Sequence, residues 1–263
     1  MKRTLWIGLV TIILVVCWLL FCGYQWSWGP FHRVHDLKTA SLPGNGQEYA
    51  LSGVKVLLES PLAEKTIVFL GSSVTHGAAS KGISFADYIG ARDGCTVVKE
   101  AVSGTTLVTG GINSYIARLE KIDAAKADIF VCQLSTNDAT QKKPLGSISE
   151  SFQREDFDTA TVAGAIEYII SYASERWNCP IAFYTNPRYD SAAYGQMVDL
   201  LLEIQKKWDI TVIDLWNDAE FNKISPKQRK LYMADSIHPT QAGYLEWWMP
   251  KMEESLYQME AQQ

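Results

Sequence analysis

The chain has 263 residues, of which 47% are hydrophobic and 20% are charged, and its net charge at pH 7 is −5. This length and composition suit one globular domain of ordinary size with a buried core. The negative net charge and the lack of a basic stripe give no electrostatic reason to expect nucleic acid as a partner. We therefore expect a neutral-to-acidic protein that does not bind nucleic acid.

The first thirty residues have the pattern of a membrane-spanning helix. Lys2 and Arg3 precede an apolar run over residues 5–22, and the next Lys, Arg, Asp or Glu is Arg33. Eighteen helical residues span about 27 Å, close to the hydrocarbon thickness of a bilayer. The two basic residues predict a cytoplasmic N-terminus, a single span of the cell membrane and a domain facing outside. Aromatic residues that suit the membrane interface follow the run, namely Tyr24, Trp26, Trp28 and Phe31.

A cleaved signal peptide and a lipid-modified Cys22 are the alternatives to this anchor. Cleavage sites of signal peptides have small residues in an A-x-A-like pattern, which Phe21, Cys22 and Gly23 do not provide. Phe21 is also a poor neighbour for lipid modification, so we favour a retained anchor. The absence of an N-x-[ST] sequon favours a bacterial surface over the lumen of a secretory pathway.

Alternating segments organise the rest of the chain. We assign residues 1–30 to the anchor or signal segment, 31–60 to a linker with one short strand near 54–58, and 61–263 to the main domain. The alternation predicts an α/β fold, a flavodoxin-like, doubly wound sheet of about five parallel strands between two layers of helices. Strands are predicted at 66–70, 95–98, 129–134, 181–185 and 210–215. Helices are predicted at 84–92, where Ser84 and Asp87 form a capping box, and at 112–122, 161–177, 193–208 and 241–259.

The segment 139–158 interrupts this alternation directly after the third predicted strand. It is polar and contains Pro144 and Gly146. Connections of this length are usually functional or disordered. Because open α/β sheets bind ligands at the carboxyl ends of their strands, we interpret the segment as a substrate-side loop.

The five cysteines have neither the spacing of a disulfide framework nor that of a zinc site. Two of them, Cys17 and Cys22, lie in the apolar segment, and the others lie at or in predicted strands. We expect free thiols, mostly buried, and no metal.

Small polar residues follow three of the predicted strands. Ser72 and Ser73 follow the first, Gly104 lies in the segment after the second, and Asn137 follows the third. The carboxyl ends of parallel strands meet at one edge of a sheet, so we expect these residues to lie close together. Alone, each has an ordinary interpretation as a turn or cap residue.

A serine nucleophile needs a base within hydrogen-bond reach, and the base needs a group that orients it. The chain has four histidines, of which His32 and His35 lie in the predicted linker. Asp235 precedes His238 by three residues, whereas His76 has no acidic residue nearby in the sequence. We therefore favour His238, although an isolated D-x-x-H-P segment is also typical of a solvated turn.

Four segments, in this order, resemble the motif blocks of the SGNH hydrolase superfamily, also called GDSL esterases and lipases. They are "FLGSSVTHG", "AVSGTTL", "LSTNDAT" and "DSIHPTQAGY", and they cover nearly the whole main domain. The resemblance implies that Ser73 is the nucleophile, His238 the base and Asp235 the acid that orients it. It also implies an oxyanion hole formed by the N–H groups of Ser73 and Gly104 and the amide of Asn137, an acyl-enzyme, and no metal or organic cofactor.

Two residues depart from the family pattern. Ser72 stands where the family usually has aspartate, and Ser135 stands where the third block usually begins with glycine. Neither change removes a proton-transfer group or an oxyanion donor. Ser72 remains the alternative nucleophile.

We expect a serine ester hydrolase that removes a short acyl group from an extracellular or cell-wall substrate, such as a glycan ester. The alternatives are an O-acyltransferase acting on glycans and a non-catalytic carbohydrate-binding surface protein. A P-loop is excluded because no Lys-Ser/Thr pair follows Gly77, and a flavin-binding flavodoxin would not need Asp235 and His238. Five tryptophans either line a sugar site or pack in the core, namely Trp177, Trp208, Trp216, Trp247 and Trp248.

Overall fold

The computed structural model describes residues 2–26, 30–31 and 33–262. Trp28 and His32 lie outside the described residues, as do the side chains of Lys2, Arg3, Tyr24, Trp26 and His35. The strands are β1 (Thr66–Gly71), β2 (Thr96–Ala101), β3 (Ile129–Gln133), β4 (Ile181–Tyr184) and β5 (Thr211–Ile213). The helices are α1 (Lys2–Trp26), α2 (Arg33–Ala40), α3 (Ser73–His76), α4 (Phe85–Asp93), α5 (Tyr115–Leu119), α6 (Thr136–Thr140), α7 (Val162–Trp177), α8 (Ala192–Lys207), α9 (Pro226–Tyr232) and α10 (Met249–Glu260).

The five strands form one parallel sheet in the order β2-β1-β3-β4-β5. This is the flavodoxin-like order, and it confirms the predicted α/β fold class. The chain passes from β1 to β2 on one side and then crosses back to β3 on the other side of β1. The carboxyl ends of β1 and β3 therefore flank the switch point, where such sheets place their ligand sites.

Alternate side chains of the strands enter two separate cores. Val68 and Leu70 pack on one face of the sheet, with residues of α5, α7 and α8. Ile67 and Phe69 pack on the other face, with residues of α4 and α10. Helices thus cover both faces, and the loops at the carboxyl edge rest on a sheet that is buried on both sides.

The helices around the sheet agree with the predicted ones except where a local polar contact sets a different first residue. The capping box is present, since Ser84 N donates to Asp87 Oδ2 at 2.7 Å, and it starts α4 as predicted. The helix predicted over 112–122 begins only at Tyr115, because Ser114 Oγ accepts from Ala117 N and caps it. The last predicted helix, 241–259, is present as one continuous helix, and it contains a π-helical segment, Gly243–Trp248, directly before α10.

The five tryptophans belong to the interior or to its edge. Trp216, Trp247 and Trp248 are buried, and Trp248 stacks on Phe85 with ring centroids 5.8 Å apart. The indole N–H groups of Trp177 and Trp208 donate to Ala124 O and Glu167 Oε1. These positions favour the core interpretation over a sugar-stacking platform.

The substrate-side interpretation of the segment 139–158 is wrong for most of its length. Buried Glu167 on α7 pairs with Lys207 of α8 at 2.6 Å and accepts from Ser149 N at 2.9 Å. Lys207 Nζ also donates to Ser149 O, and it lies 4.7 Å from the ring centroid of Phe152. The middle of the segment therefore packs on α7 and α8. Its beginning stays near the sheet edge, where Gln141 contacts Gly104 O and where Pro144 O and Leu145 O accept from the first residues of α7.

Residues 31–60 contain α2 and three short 3-10 turns, and the strand predicted near 54–58 is wrong. The backbone at Leu57 donates instead to Arg92 O at the end of α4. Tyr88 OH of α4 donates to Tyr49 O at 2.6 Å, so part of this segment packs on the domain. The domain boundary at residue 61 stays a prediction.

Helix α1 is long and apolar enough to cross a membrane. Its 18-residue window Trp6–Gly23 has a mean hydropathy of 2.5, and only 11% of the window is buried. A signal sequence has the same properties. Unlike the helices around the sheet, α1 exposes large apolar side chains along most of its length.

Two carboxyl groups meet where α10 packs on α4. Asp93 is buried, and its Oδ1 accepts from Ser60 Oγ at 2.6 Å and from Tyr257 OH at 2.5 Å. Glu253 lies beside it and pairs with Arg92 at 2.9 Å. Burial raises the pKa of Glu253, the adjoining Asp93 raises it further, and the result is about 7 against an ordinary value of 4.5.

This raised pKa makes stability depend on pH. Between the ordinary and the raised pKa, the folded protein holds a proton on Glu253 that the unfolded chain releases. We expect the unfolding free energy to fall by about 1–3 kcal/mol as pH rises from about 5 to about 8. Glu253→Gln should flatten this slope in thermal unfolding of a fragment starting at residue 31, whereas Glu254→Gln, at an exposed neighbour, should not. An unchanged slope in Glu253→Gln would contradict the assignment.

Candidate active site

The turn after β1 places Ser73 at the carboxyl edge of the sheet. β1 ends at Gly71, and α3 begins at Ser73 and closes after one turn at Gly77. A Cβ atom on Gly71 would overlap the Thr75 side chain, so only glycine allows so tight a turn. Ser73 is largely buried, with 7% of its surface exposed.

Ser73, His238 and Asp235 form one chain of hydrogen bonds. His238 Nε2 lies 2.8 Å from Ser73 Oγ, and His238 Nδ1 lies 2.8 Å from Asp235 Oδ2. The second carboxylate oxygen, Asp235 Oδ1, accepts from the backbone N–H groups of Ile237 and His238 at 2.7 and 2.8 Å. The structure therefore brings together all three residues that the sequence placed in a triad.

Asp235 is an ionised carboxylate at neutral pH. Its partial burial raises the pKa, but the hydrogen bond and charge of His238 and the two backbone N–H donors outweigh that effect and hold the pKa at about 2. An ionised carboxylate can only accept hydrogen bonds. The proton between Asp235 and His238 therefore belongs to Nδ1 of the imidazole, and Nε2 is left to accept from Ser73.

His76 and Ser72, the alternatives for the base and the nucleophile, lie outside this chain of hydrogen bonds. The side chain of His76 is exposed, and its ring forms no hydrogen bond with any residue that the structure describes. Ser72 is fully buried, and its Oγ lies 3.4 Å from Gln133 Oε1 rather than near an imidazole.

Gly104 lies on the loop after β2 and Asn137 lies on α6 after β3, and these two segments contact each other. Gly104 has φ +80°, a conformation that favours glycine. Asn137 Nδ2 donates one hydrogen to Thr105 O at 2.9 Å, which leaves its second amide hydrogen for another acceptor. Among the described residues, the backbone N–H groups of Ser73 and Gly104 have no hydrogen-bond acceptor. Three N–H donors that can still form a hydrogen bond thus lie on the segments that follow β1, β2 and β3.

Sequence reasoning missed Gln133, the residue that holds the Ser73 turn. This glutamine ends β3 and is fully buried. Its Oε1 accepts from Ser72 N at 2.9 Å, from Thr75 N at 3.3 Å and from Thr75 Oγ1 at 2.8 Å. The turn is therefore fixed from the neighbouring strand by one neutral amide. A polar residue ending an otherwise apolar strand was the signal that could have revealed it.

Arg118 was missed as well, and it joins the first two loops. Its guanidinium is buried and donates to Gly71 O at 2.8 Å, to Thr105 Oγ1 at 3.1 Å and to Glu100 O at 2.9 Å. It therefore sets the distance between the end of β1 and the loop that carries Gly104. An arginine within the apolar pattern of α5 was the available signal.

Asn45 connects the predicted linker to the loop that carries His238. It is buried, its Oδ1 accepts from Gln241 N at 2.8 Å, and its Nδ2 donates to Ala79 O at 2.8 Å. Gln241 follows His238 by three residues, and Ala79 follows Gly77. Nothing in the local sequence distinguishes this asparagine from an ordinary turn residue.

Comparisons with known proteins agree with this architecture. Residues 69–245, about two thirds of the chain, match the profile of the "GDSL-like Lipase/Acylhydrolase family". No curated protein matches the chain.

Solved structures show the same fold at low sequence identity. A protein from Lactobacillus plantarum has a TM-score of 0.63 and 19% identity, over 74% of this chain and 97% of its own. A candidate GDSL-like lipase from Bacteroides ovatus has a TM-score of 0.53 and 20% identity, over 74% and 99%. The acetyl xylan esterase AlAXEase has a TM-score of 0.53 and 14% identity, over 73% and 99%.

The family profile spans the four segments that carry Ser73, Gly104, Asn137 and the Asp235–His238 pair. The resemblance to SGNH hydrolases is thereby confirmed. The chain belongs to the GDSL-like lipase/acylhydrolase family and is a serine ester hydrolase of that family.

Proposed function

We propose that the protein removes a short acyl group from an extracellular glycan ester through an acyl-enzyme on Ser73. The observation that carries this proposal is the unbroken hydrogen-bond chain Ser73 Oγ, His238, Asp235. His238 takes the hydroxyl proton as Oγ attacks the ester carbonyl, which gives a tetrahedral oxyanion. Collapse of this intermediate breaks the bond to the alcohol, which leaves with the proton from His238.

Deacylation repeats the sequence with water as the nucleophile. His238 removes a proton from water, hydroxide adds to the acyl carbonyl, and Ser73 Oγ leaves and recovers the proton. The products are the free acid, the alcohol and the unmodified enzyme. Asp235 keeps Nδ1 protonated and stabilises the imidazolium that forms in both steps.

The oxyanion is held by the N–H groups of Ser73 and Gly104 and by the second amide hydrogen of Asn137. Two features support this role, namely the lack of other acceptors for the two backbone groups and the contact between Asn137 and Thr105. Donors fixed before the reaction stabilise developing charge without the cost of reorganising solvent. No metal or organic cofactor takes part in this mechanism.

The proposed extracellular location rests on the apolar helix α1 and on Lys2 and Arg3 at its start. A retained anchor would hold the esterase at the outer face of the cell membrane, within reach of cell-wall glycans. The acetyl xylan esterase AlAXEase has a similar fold, and its name supports the choice of a glycan ester as the proposed substrate.

Ser73→Ala should abolish hydrolysis of p-nitrophenyl acetate, because no other hydroxyl contacts His238 in the described residues. Thermal unfolding should change little, since only one small hydroxyl is removed. The measurement uses the fragment from residue 31, which retains the Asn45 contacts. Ser72→Ala is the matched control and should keep most of the activity. Full activity in Ser73→Ala would disprove the assigned nucleophile.

Gln133→Met should lower kcat about tenfold or more while KM changes much less. Its side chain has similar length but no acceptor for Ser72 N, Thr75 N or Thr75 Oγ1, so the Ser73 turn would shift. Misplacement by about 1 Å can cost about 10²-fold in rate. The same change at the exposed Gln153 is the control. Wild-type kcat in Gln133→Met would show that the turn does not depend on this amide.

A further inference from the structure

A polar groove lies beside the proposed oxyanion hole. Its wall includes Gly104 and Thr105 on one side, Asn113 on another, and Gln141 and Lys143 after α6. Gln141 Nε2 donates to Gly104 O at 3.4 Å, which places this wall against the oxyanion loop. A substrate whose carbonyl oxygen meets Gly104 N–H must place part of its remaining structure in or next to this groove.

The groove carries a positive charge, Lys143, with no carboxylate in direct contact in the part of the chain that the structure describes. Lys143 is half-buried and has no ion-pair partner among the described residues, and no Asp or Glu lines the groove there. Its backbone is fixed, because Lys143 N donates to Asp138 O at 2.9 Å in α6, the helix that carries Asn137. The side chain of Lys143 therefore starts from a fixed backbone position close to the proposed site and lines the groove.

Asp138 is the carboxylate whose charge interacts with Lys143, but both of its oxygens already accept hydrogen bonds from the backbone. Oδ2 accepts from Leu107 N at 2.8 Å, and Oδ1 accepts from Val108 N at 3.2 Å. The carboxyl is fully buried, and this burial raises its pKa. Asp138 therefore fixes the backbone of the loop that follows Gly104. The ammonium group of Lys143 keeps its hydrogen-bonding capacity for a ligand.

Building on the proposed function, we propose that Lys143 binds a carboxylate or phosphate on the sugar part of the substrate, so that the preferred substrates are O-acyl esters of anionic glycans. The amide side chains of Asn113 and Gln141 line the same groove and suit the hydroxyl groups of a sugar. A charge-assisted hydrogen bond from Lys143 gives the anionic ester an advantage that a neutral ester lacks.

The test compares three acetyl esters that share one sugar, a neutral hexoside, its hexuronide and its 6-phosphate, with the full-length chain in neutral detergent. We expect wild-type kcat/KM to be about tenfold higher for at least one anionic ester at low ionic strength. The hexuronide and the phosphate distinguish the two anionic groups. Added salt should reduce the preference. Lys143→Met should bring the anionic-to-neutral ratio close to one, and Lys143→Arg should retain it.

Lys142→Met is the matched control, because Lys142 is the exposed neighbour and does not line the groove. It should keep the wild-type ratio. Equal wild-type rates on neutral and anionic esters would overturn the proposal. So would an equal loss on all three esters in Lys143→Met, which would indicate that Lys143 only offsets the charge of Asp138. A wild-type protein inactive on p-nitrophenyl acetate as well would instead refute the proposed function itself.

Discussion

The hydrogen bond between Ser73 Oγ and His238 Nε2 joins two residues that are 165 positions apart, and the site depends on it. Ser73 and His238 lie on different segments, and contacts elsewhere in the structure hold these segments together. Ser73 is held by the end of β1, and His238 lies on the loop after α9. Tyr244 OH donates to Val74 O at 2.6 Å and ties the segment after that loop directly to the Ser73 turn. Asn186 Nδ2 holds the same loop through Ile237 O at 3.1 Å.

A neutral amide, rather than a carboxylate, holds the nucleophile turn from the adjacent strand. The family pattern has a carboxylate next to the nucleophile, whereas this chain has Ser72 there and places an amide acceptor, Gln133, on the adjacent strand. Asp235 contacts the imidazole on its far side, so its negative charge is separated from Ser73 by the ring. A charge developing on the substrate oxygen would therefore meet N–H donors and no carboxylate in direct contact with the turn.

The strands were predictable because a sheet that is buried on both faces is built from short, continuous apolar segments of sequence. Residues 66–71 and 129–133 are such segments. The triad and the proposed oxyanion donors could be named because their four segments follow one another in a known order. Asn45 could not be named, since its contact with Gln241 connects residues 196 positions apart and leaves no local pattern. Gln133 stands out as a polar residue at the end of an apolar strand, but its partner Ser72 lies 61 positions away and is not revealed by that pattern. The segment 139–158 was misplaced because length and polarity do not reveal the buried Glu167 that pulls it onto α7 and α8.

The most direct test of the account is covalent labelling with an alkyl fluorophosphonate, followed by mass spectrometry of the digested protein. An activated serine forms an Oγ–P bond and releases fluoride, so the adduct marks the nucleophile. The account predicts one equivalent of label on Ser73 and a large loss of labelling in His238→Ala. Label on Ser72, or labelling that does not depend on His238, would contradict it.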